Sequence, residues 1–346
     1  MQYAIMYNPG HNRVYFESSL KLSIAEFEIV AEKLSVKYDN LKNEVIYGVN
    51  YLIFTTEAAV NQIDVGILSR LSFIYALFSL EEINNQIYLK PIEMIKEDYI
   101  DEGISSLLKY TGKTNEMFTR MLINIAYFSQ SKTEGIRLLD PLAGKGTTLF
   151  EGIVKGFDVY GIEIGENVVA EASNFLKRFL ESQRYKYLFN QERFSGPNRS
   201  FSVLKHIFKI ARTKEELKAK ETKTVEILAG NSMYVDKIYP KEYFDILVSD
   251  LPYGVQHGSV TNEKQSSQTR NPYELLRTCL PSWIKVLKIT GVMVLSFNNN
   301  ILSRKKIEQL LELHNLKVFA DEMYLQLEHR VDQAIQRDVI VAYKDI

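Results

Sequence analysis

From Ile136 onward the chain alternates short apolar runs with amphipathic helical patterns, and this alternation constrains the fold more than any other feature. The runs Ile136 to Leu139, Asp158 to Ile162, Val225 to Leu228, Asp245 to Val248, Val292 to Phe297 and Val339 to Tyr343 read as strands. Thr148 to Lys155, Asn167 to Tyr185, Tyr273 to Leu287 and Lys305 to His314 read as the helices between them. Strands too short and too apolar to face water, each followed by a helix, predict a mainly parallel sheet covered on both faces. Just upstream, Met117, Met121 and Ile125 recur every four residues, with Phe118 and Leu122 beside them. That spacing gives a helix with one apolar face, placed to cover the sheet that follows.

The first 95 residues follow a different pattern. Gln2 to Tyr7, Val45 to Thr55 and Phe73 to Leu80 read as strands, with helices over Leu22 to Leu34 and Gln62 to Ser72. Ser23 and Glu26 have the spacing of a capping box at the first helix. The order β-α-β-α-β predicts a small α+β domain without a catalytic cluster. Residues 96–113, charged and glycine-containing, are the expected linker, and 114–346 the larger domain. A chain of 346 residues with 46% hydrophobic content supports two cores.

Charge excludes a global electrostatic field: 42 basic against 43 acidic side chains leave a net charge of -1. A nucleic-acid partner would therefore be held by a local patch, and residues 184–224 supply a candidate. Eleven Lys or Arg stand there against four Glu, with Phe189, Phe194, Phe201 and Phe208 interleaved. Such a segment either stacks bases and holds phosphates or forms an amphipathic helical insertion that buries its aromatics. The single cysteine, Cys279, excludes an internal disulfide and lies in an apolar helical pattern, as a core residue would. No run approaches the roughly 20 apolar residues that span a bilayer, and no signal-peptide pattern opens the chain, so the expected compartment is the cytoplasm.

Chemistry concentrates where predicted strands end. After the first, Asp140-Pro141-Leu142-Ala143-Gly144-Lys145-Gly146-Thr147 turns into a helix. Gly144 and Gly146 permit positive φ and close backbone approach to a ligand. The spacing matches neither the phosphate-binding GxxxxGK[ST] loop nor GxGxxG, since Leu149 holds the third glycine's position. Asp140 would repel a pyrophosphate and attract the ammonium of a methionine-like group. Glu163 ends the second strand, where an acid reaches both ribose hydroxyls in such folds. Gly230-Asn231-Ser232 follows the third, and Asn231 offers both a donor and an acceptor to an adenine edge. The fourth ends in Asp250-Leu251-Pro252-Tyr253-Gly254: an acid, a fixed turn and an aromatic, suited to a planar amine.

These motifs resemble those of the class I S-adenosylmethionine-dependent methyltransferases that act on exocyclic amines of nucleobases. DPLAGKGT looks like their DPxxGxGT motif, and SDLPYGVQHG like their (N/D)PPY motif with its trailing glycines. The pattern is most similar to tRNA guanine-N2 methyltransferases. Leu122-Ile123-Asn124-Ile125-Ala126 resembles the segment before their cofactor motif, and His329-Arg330-Val331 with Arg337-Asp338-Val339-Ile340-Val341 their last hairpin. Lys145 departs from it, where a small residue is usual, as does Gly165, where a second acid often stands.

The resemblance implies a Rossmann-like, seven-stranded sheet with a ferredoxin-like N-terminal domain; the tRNA-binding THUMP module that those enzymes carry is a further departure, since no stretch of the sequence has room for it. It implies S-adenosyl-L-methionine held by Asp140, Pro141, Ala143, Gly144, Gly146, Thr147, Glu163, Asn231 and Ser232. Asp250, the Leu251 carbonyl, Pro252 and Tyr253 would handle the target amine, with Tyr253 stacked on a base extruded from its helix. His257 and Arg270 would touch substrate or serve only as solvated loop residues. The expected partner is RNA, tRNA foremost. The alternatives are a DNA adenine-N6 or cytosine-N4 methyltransferase, and a non-catalytic RNA-binding protein that keeps the fold.

Overall fold

The computed structural model describes residues 1–10, 13–108, 113–253 and 271–345. They form two compact units, residues 1–97 with 320–336 and residues 98–319 with 337–346.

In the first unit, strands β1 (Gln2–Tyr7), β2 (Tyr38–Ile46), β3 (Val49–Thr56), β4 (Ile74–Ile83) and β5 (Gln86–Ile92) form an antiparallel sheet in the order β2-β3-β1-β4-β5. Helices α1 (Arg13–Ala31) and α2 (Gln62–Leu68) complete a βαββαβ path, the ferredoxin-like order, with β5 added. The run Val45 to Thr55, expected as one strand, is split by a turn at Tyr47 and Gly48, with φ of 49° and 84°. The polar β2 before that turn lacks the apolar signature of a strand. Helix α1 starts well before Leu22, so Ser23 and Glu26 lie inside it rather than capping it. Ser23 Oγ donates to the Leu20 carbonyl at 3.0 Å, and the buried Glu26 accepts from the Ser72 N–H at 2.9 Å. The capping box belongs to α2, where the Asn61 and Asp64 side chains each accept from the other's backbone N–H.

Residues 320–336, expected with the larger domain, cluster with this first unit instead, and include a short helix (Glu322–Leu325) and β14 (His329–Arg330). Ser18 Oγ and Lys21 Nζ on α1 donate to the Arg330 and Glu328 carbonyls at 3.1 Å each.

The second unit carries β6 (Arg137–Asp140), β7 (Asp158–Glu163), β8 (Lys186–Ser195), β9 (Ser202–Ala211), β10 (Lys223–Ala229), β11 (Phe244–Asp250), β12 (Leu287–Asn298), β13 (Leu316–Val318) and β15 (Gln336–Lys344). Their order is β13-β15-β12-β11-β6-β7-β10-β9-β8. Five adjacent strands, β12-β11-β6-β7-β10, are parallel, and β15 inserts antiparallel between β12 and β13. This is the expected Rossmann-like arrangement, extended at one edge by β9 and β8.

That extension is residues 186–211 of the basic segment 184–224, a β-hairpin rather than a helical insertion; the α-helix in the segment is Lys214–Ala219. His206, Phe208 and Ile210 of β9 are buried, alternating with the more accessible Lys205, Ile207 and Lys209, so a period of two prevails over the helical reading. Phe189 faces Phe208 across the hairpin with ring centroids 4.8 Å apart, and Lys177 Nζ sits 3.4 Å from the Phe189 centroid. Phe201 stacks on Tyr234, leaving Phe194 the most exposed of the four aromatics.

Helix α4 (Glu116–Phe128) buries Met117, Met121 and Ile125 and packs on β11 and β12, as its periodicity requires. Trp283 lies at the centre of the main core with Phe244, Leu280, Leu295 and Ile340. Among the described residues no helix is long and apolar enough to cross a membrane.

Candidate active site

Strand order reverses around β6: β7 lies on one side and β11 on the other. In open α/β sheets ligands bind at such a switch point, outside the strand carboxyl ends. Asp140 ends β6 and Asp250 ends β11, and the parallel pairing brings these two strand ends together from 110 positions apart in sequence. Ser249 joins the two segments, donating its hydroxyl to Asp140 Oδ1 at 3.0 Å.

Asp140 is buried, and its Oδ1 also accepts from the Leu142 N–H at 3.0 Å, which folds the turn back on the strand end. Burial pushes its carboxyl up from 3.8 to about 6; the Thr148 hydroxyl, the Leu142 N–H and the Ser249 hydroxyl oppose the shift, and Asp250 adds to it. Pro141 is buried, and the Ala143 N–H donates to the Ile162 carbonyl at 2.8 Å, tying the turn to β7. Gly144 has a φ of 50° and nothing within 4 Å of where a Cβ would project, so open space adjoins its backbone. Gly146, at φ 91°, caps α5 (Thr147–Val154), whose first residue Thr147 is buried.

Two further residues shape the turn, Gly161 from outside the motif and Lys145 within it. A Cβ at Gly161 in β7 would fall 2.6 Å from Leu149 Cδ1 and 2.8 Å from Ala143 Cβ, so only glycine lets the turn seat here. Lys145, the departure from the family pattern, pairs with Glu171 on α6 (Glu166–Ser182) at 2.7 Å.

Glu163 closes β7 beside the turn. Its carboxyl is pushed up by burial and held back by the N–H groups of Gly165, Gly144 and Ile164. The Gly165 contact is 2.9 Å. Asn231 is exposed, and its Oδ1 caps the following short helix through the Met233 N–H at 3.0 Å, which leaves its amide NH2 group facing outward as a donor. Ser232 has a packing role: its buried Oγ accepts from Trp283 Nε1 at 2.8 Å. An open glycine turn flanked by two carboxylates and a side-chain amide fits an adenosine carrying an amino-acid tail. Asp140, Glu163 and Asn231 would hold its charged and polar parts.

Across the switch point, Asp250 presents both carboxylate oxygens to hydroxyls. Thr114 Oγ1 donates to Oδ2 at 2.8 Å, and the Tyr253 hydroxyl donates to Oδ1. Leu251 is buried and its N–H donates to the Ser296 carbonyl at 2.8 Å, fixing the peptide that Pro252 follows. Burial and the charge of Asp250 push the Tyr253 phenol well above its usual range, so it stays a donor. Thr114, Ser249 and Ser296 were not singled out in the sequence. Ser296 had a signal, as the one hydroxyl within the apolar run Val292 to Phe297.

Cys279 is buried, and burial pushes its thiol up to about 11, which suits a core residue and not a nucleophile. His257 and Arg270 lie outside the described residues.

No curated protein matches the chain. Among solved structures, TrmN from Thermus thermophilus is 11% identical over 99% of both chains, with a TM-score of 0.46. A putative RNA methyltransferase from Pyrococcus horikoshii is 14% identical, covering 71% of this chain and 94% of its own, at 0.42. A SAM-dependent methyltransferase from Methanosarcina mazei is 15% identical, covering 62% and 95%, at 0.38. The model of the RMKL-like methyltransferase domain matches residues 110–323, which contain the glycine turn, Glu163, Asn231 and Asp250. With more than half its length matched, the chain belongs to the RMKL-like methyltransferase domain family, and S-adenosylmethionine is its cofactor.

Proposed function

We propose that this methyltransferase acts on an exocyclic amine of a nucleobase, guanine N2 in tRNA or another structured RNA. The observation that carries the reading is the pair of hydroxyls on Asp250. A carboxylate holding two O–H donors, at the end of a strand whose neighbour carries the cofactor turn, is placed to hold the two N–H bonds of an amine. Such an amine is a weak nucleophile because its lone pair is delocalised into the ring. Acceptors at Asp250 and the Leu251 carbonyl favour a pyramidal nitrogen and orient its lone pair. The cofactor supplies the methyl group from its sulfonium; Asp250 or water takes the proton that the amine loses. For Tyr253 to stack on the base, its hydroxyl must leave Asp250, which frees Oδ1 for the amine at the same time.

Calorimetric titration with S-adenosylmethionine is the first test, and absence of binding would remove every enzymatic reading. Labelled methyl transfer to RNA and to genomic DNA from a strain lacking the gene then separates the nucleic acids, and nucleoside mass spectrometry identifies the atom. Asp250→Ala should abolish transfer while cofactor affinity stays within about twofold; equal loss of both contradicts the assigned role.

A further inference from the structure

Arg337, at the start of β15, is 6% exposed and has no carboxylate partner among the described residues. Its guanidinium lies between two aromatic rings, with Cζ 4.3 Å from the Phe118 centroid and 5.1 Å from that of Tyr253. Nε is fully enclosed without a hydrogen-bond acceptor. A guanidinium nitrogen buried without an acceptor is costly, and two ring faces compensate only in part. Tyr253 links the two groups, since its ring lies beside Arg337 and its hydroxyl occupies Asp250 Oδ1.

We propose that Arg337 recognises the base to be methylated by donating to guanine O6 and N7. This rests on the nucleobase-amine reading above and names the residue that selects guanine. A guanidinium offers donors only, in a planar fork that matches two adjacent acceptors. Guanine carries such a pair, O6 and N7, on the edge away from its N2 amine. In adenine the acceptor N7, and in cytosine the ring acceptor N3, lie beside the amine itself, so an acid on the amine and a fork on those acceptors would have to converge. Before a base enters, Tyr253 stands between them, its hydroxyl on the acid and its ring beside the fork; when that hydroxyl leaves Asp250, both groups are free to meet the base. A base lying along that ring meets Asp250 at one edge and Arg337 at the other. Deep burial also disfavours an RNA phosphate as the acceptor, since phosphates lie on the outside of a structured RNA.

The test compares the full chain with Arg337→Lys and Arg337→Gln on pooled tRNA transcripts made with GTP or with 7-deazaguanosine triphosphate, which lacks N7. The wild type should lose roughly tenfold or more in kcat/KM on the deaza transcripts. Both variants should lose roughly ten- to a hundredfold on the GTP transcripts and discriminate little between the two pools, with cofactor affinity unchanged. A salt slope of RNA binding that falls by about one in Arg337→Gln and recovers in Arg337→Lys, with N7 discrimination intact, would assign a phosphate contact and overturn the proposal. Parallel loss of thermal stability and cofactor affinity, again with N7 discrimination intact, would overturn it in favour of a packing role. If the wild type transfers methyl to adenine or cytosine, the guanine assignment fails while the amine reading stands; transfer to no RNA removes both.

Discussion

Asp140→Asn offers a quantitative probe of the switch point. In the unfolded chain this carboxyl titrates at its ordinary 3.8; in the cofactor-free folded protein burial raises it to about 6. Below 3.8 the group is protonated in both states and folding carries no penalty. Between the two values the unfolded chain releases its proton first, so stability falls as pH rises, and above about 6 the loss is complete at roughly 3 kcal/mol. Asparagine retains an Oδ1 for Leu142 and Ser249 but carries no charge. Relative to wild type, Asp140→Asn should therefore be nearly neutral at pH 4 and more stable by up to roughly 3 kcal/mol at pH 7. Urea denaturation of both proteins at closely spaced pH values measures the difference. Parallel curves from pH 4 to 8 would refute the argument, because they would mean that the carboxyl titrates normally in the folded state. The same reasoning extends to the cofactor. If its ammonium meets the ionised carboxylate, wild-type affinity rises with pH through 6 and then levels, and Asp140→Asn weakens that rise. Glu163, also pushed up, titrates in the same direction and accounts for any rise that remains in the variant.

Three further substitutions probe the neighbouring contacts. Gly161→Ala drives a methyl against Leu149 and Ala143; it should cost about 1–3 kcal/mol in urea unfolding and weaken cofactor binding, since the turn must shift. Thr114→Val removes a hydroxyl from Asp250; loss of a hydrogen bond to a charged group should lower kcat roughly tenfold with cofactor affinity unchanged within about twofold, and an unchanged kcat would exclude the contact from turnover. Ser232→Ala leaves Trp283 Nε1 without its acceptor and should cost about 1–3 kcal/mol with cofactor affinity unchanged within about twofold, whereas selective loss of affinity would return Ser232 to the binding site.

Local chemistry was legible in the sequence, and long-range partnership was not. Gly144, Gly146 and Pro252 advertise their backbone geometry in their own residue type, and Asp140 and Asp250 stand at the ends of apolar runs, so the strand ends and turns were readable in one dimension. Thr114, by contrast, reaches Asp250 across 136 positions, and a lone threonine before a helix carries no mark of its partner. Gly161 was read only as part of a strand, because what it must avoid, Leu149 and Ala143, becomes visible once β7 lies beside the turn. The hairpin of β8 and β9 was ambiguous for a different reason. Its lysines and arginines suit a solvated helix face as well as an edge strand, and the alternation along β9, with Phe208 paired to Phe189 across the hairpin, decides the period.

Parallel register explains why polar residues gather where they do. In β11 and β12 the paired positions Ser249–Leu295 and Asp250–Ser296 sit at the carboxyl end, beyond the apolar pairs Leu247–Met293 and Val248–Val294. The apolar stretch fixes the register, since a slip of one residue would turn its side chains to the opposite face. Once that register is set, Ser249 falls beside Asp140 and Ser296 beneath Tyr253, at 3.0 and 3.4 Å. The core therefore aligns the site without contacting a ligand. Changes deep in β11 or β12 that preserve volume should leave the geometry at Asp250 unchanged, whereas any change of register separates its acid from the cofactor turn.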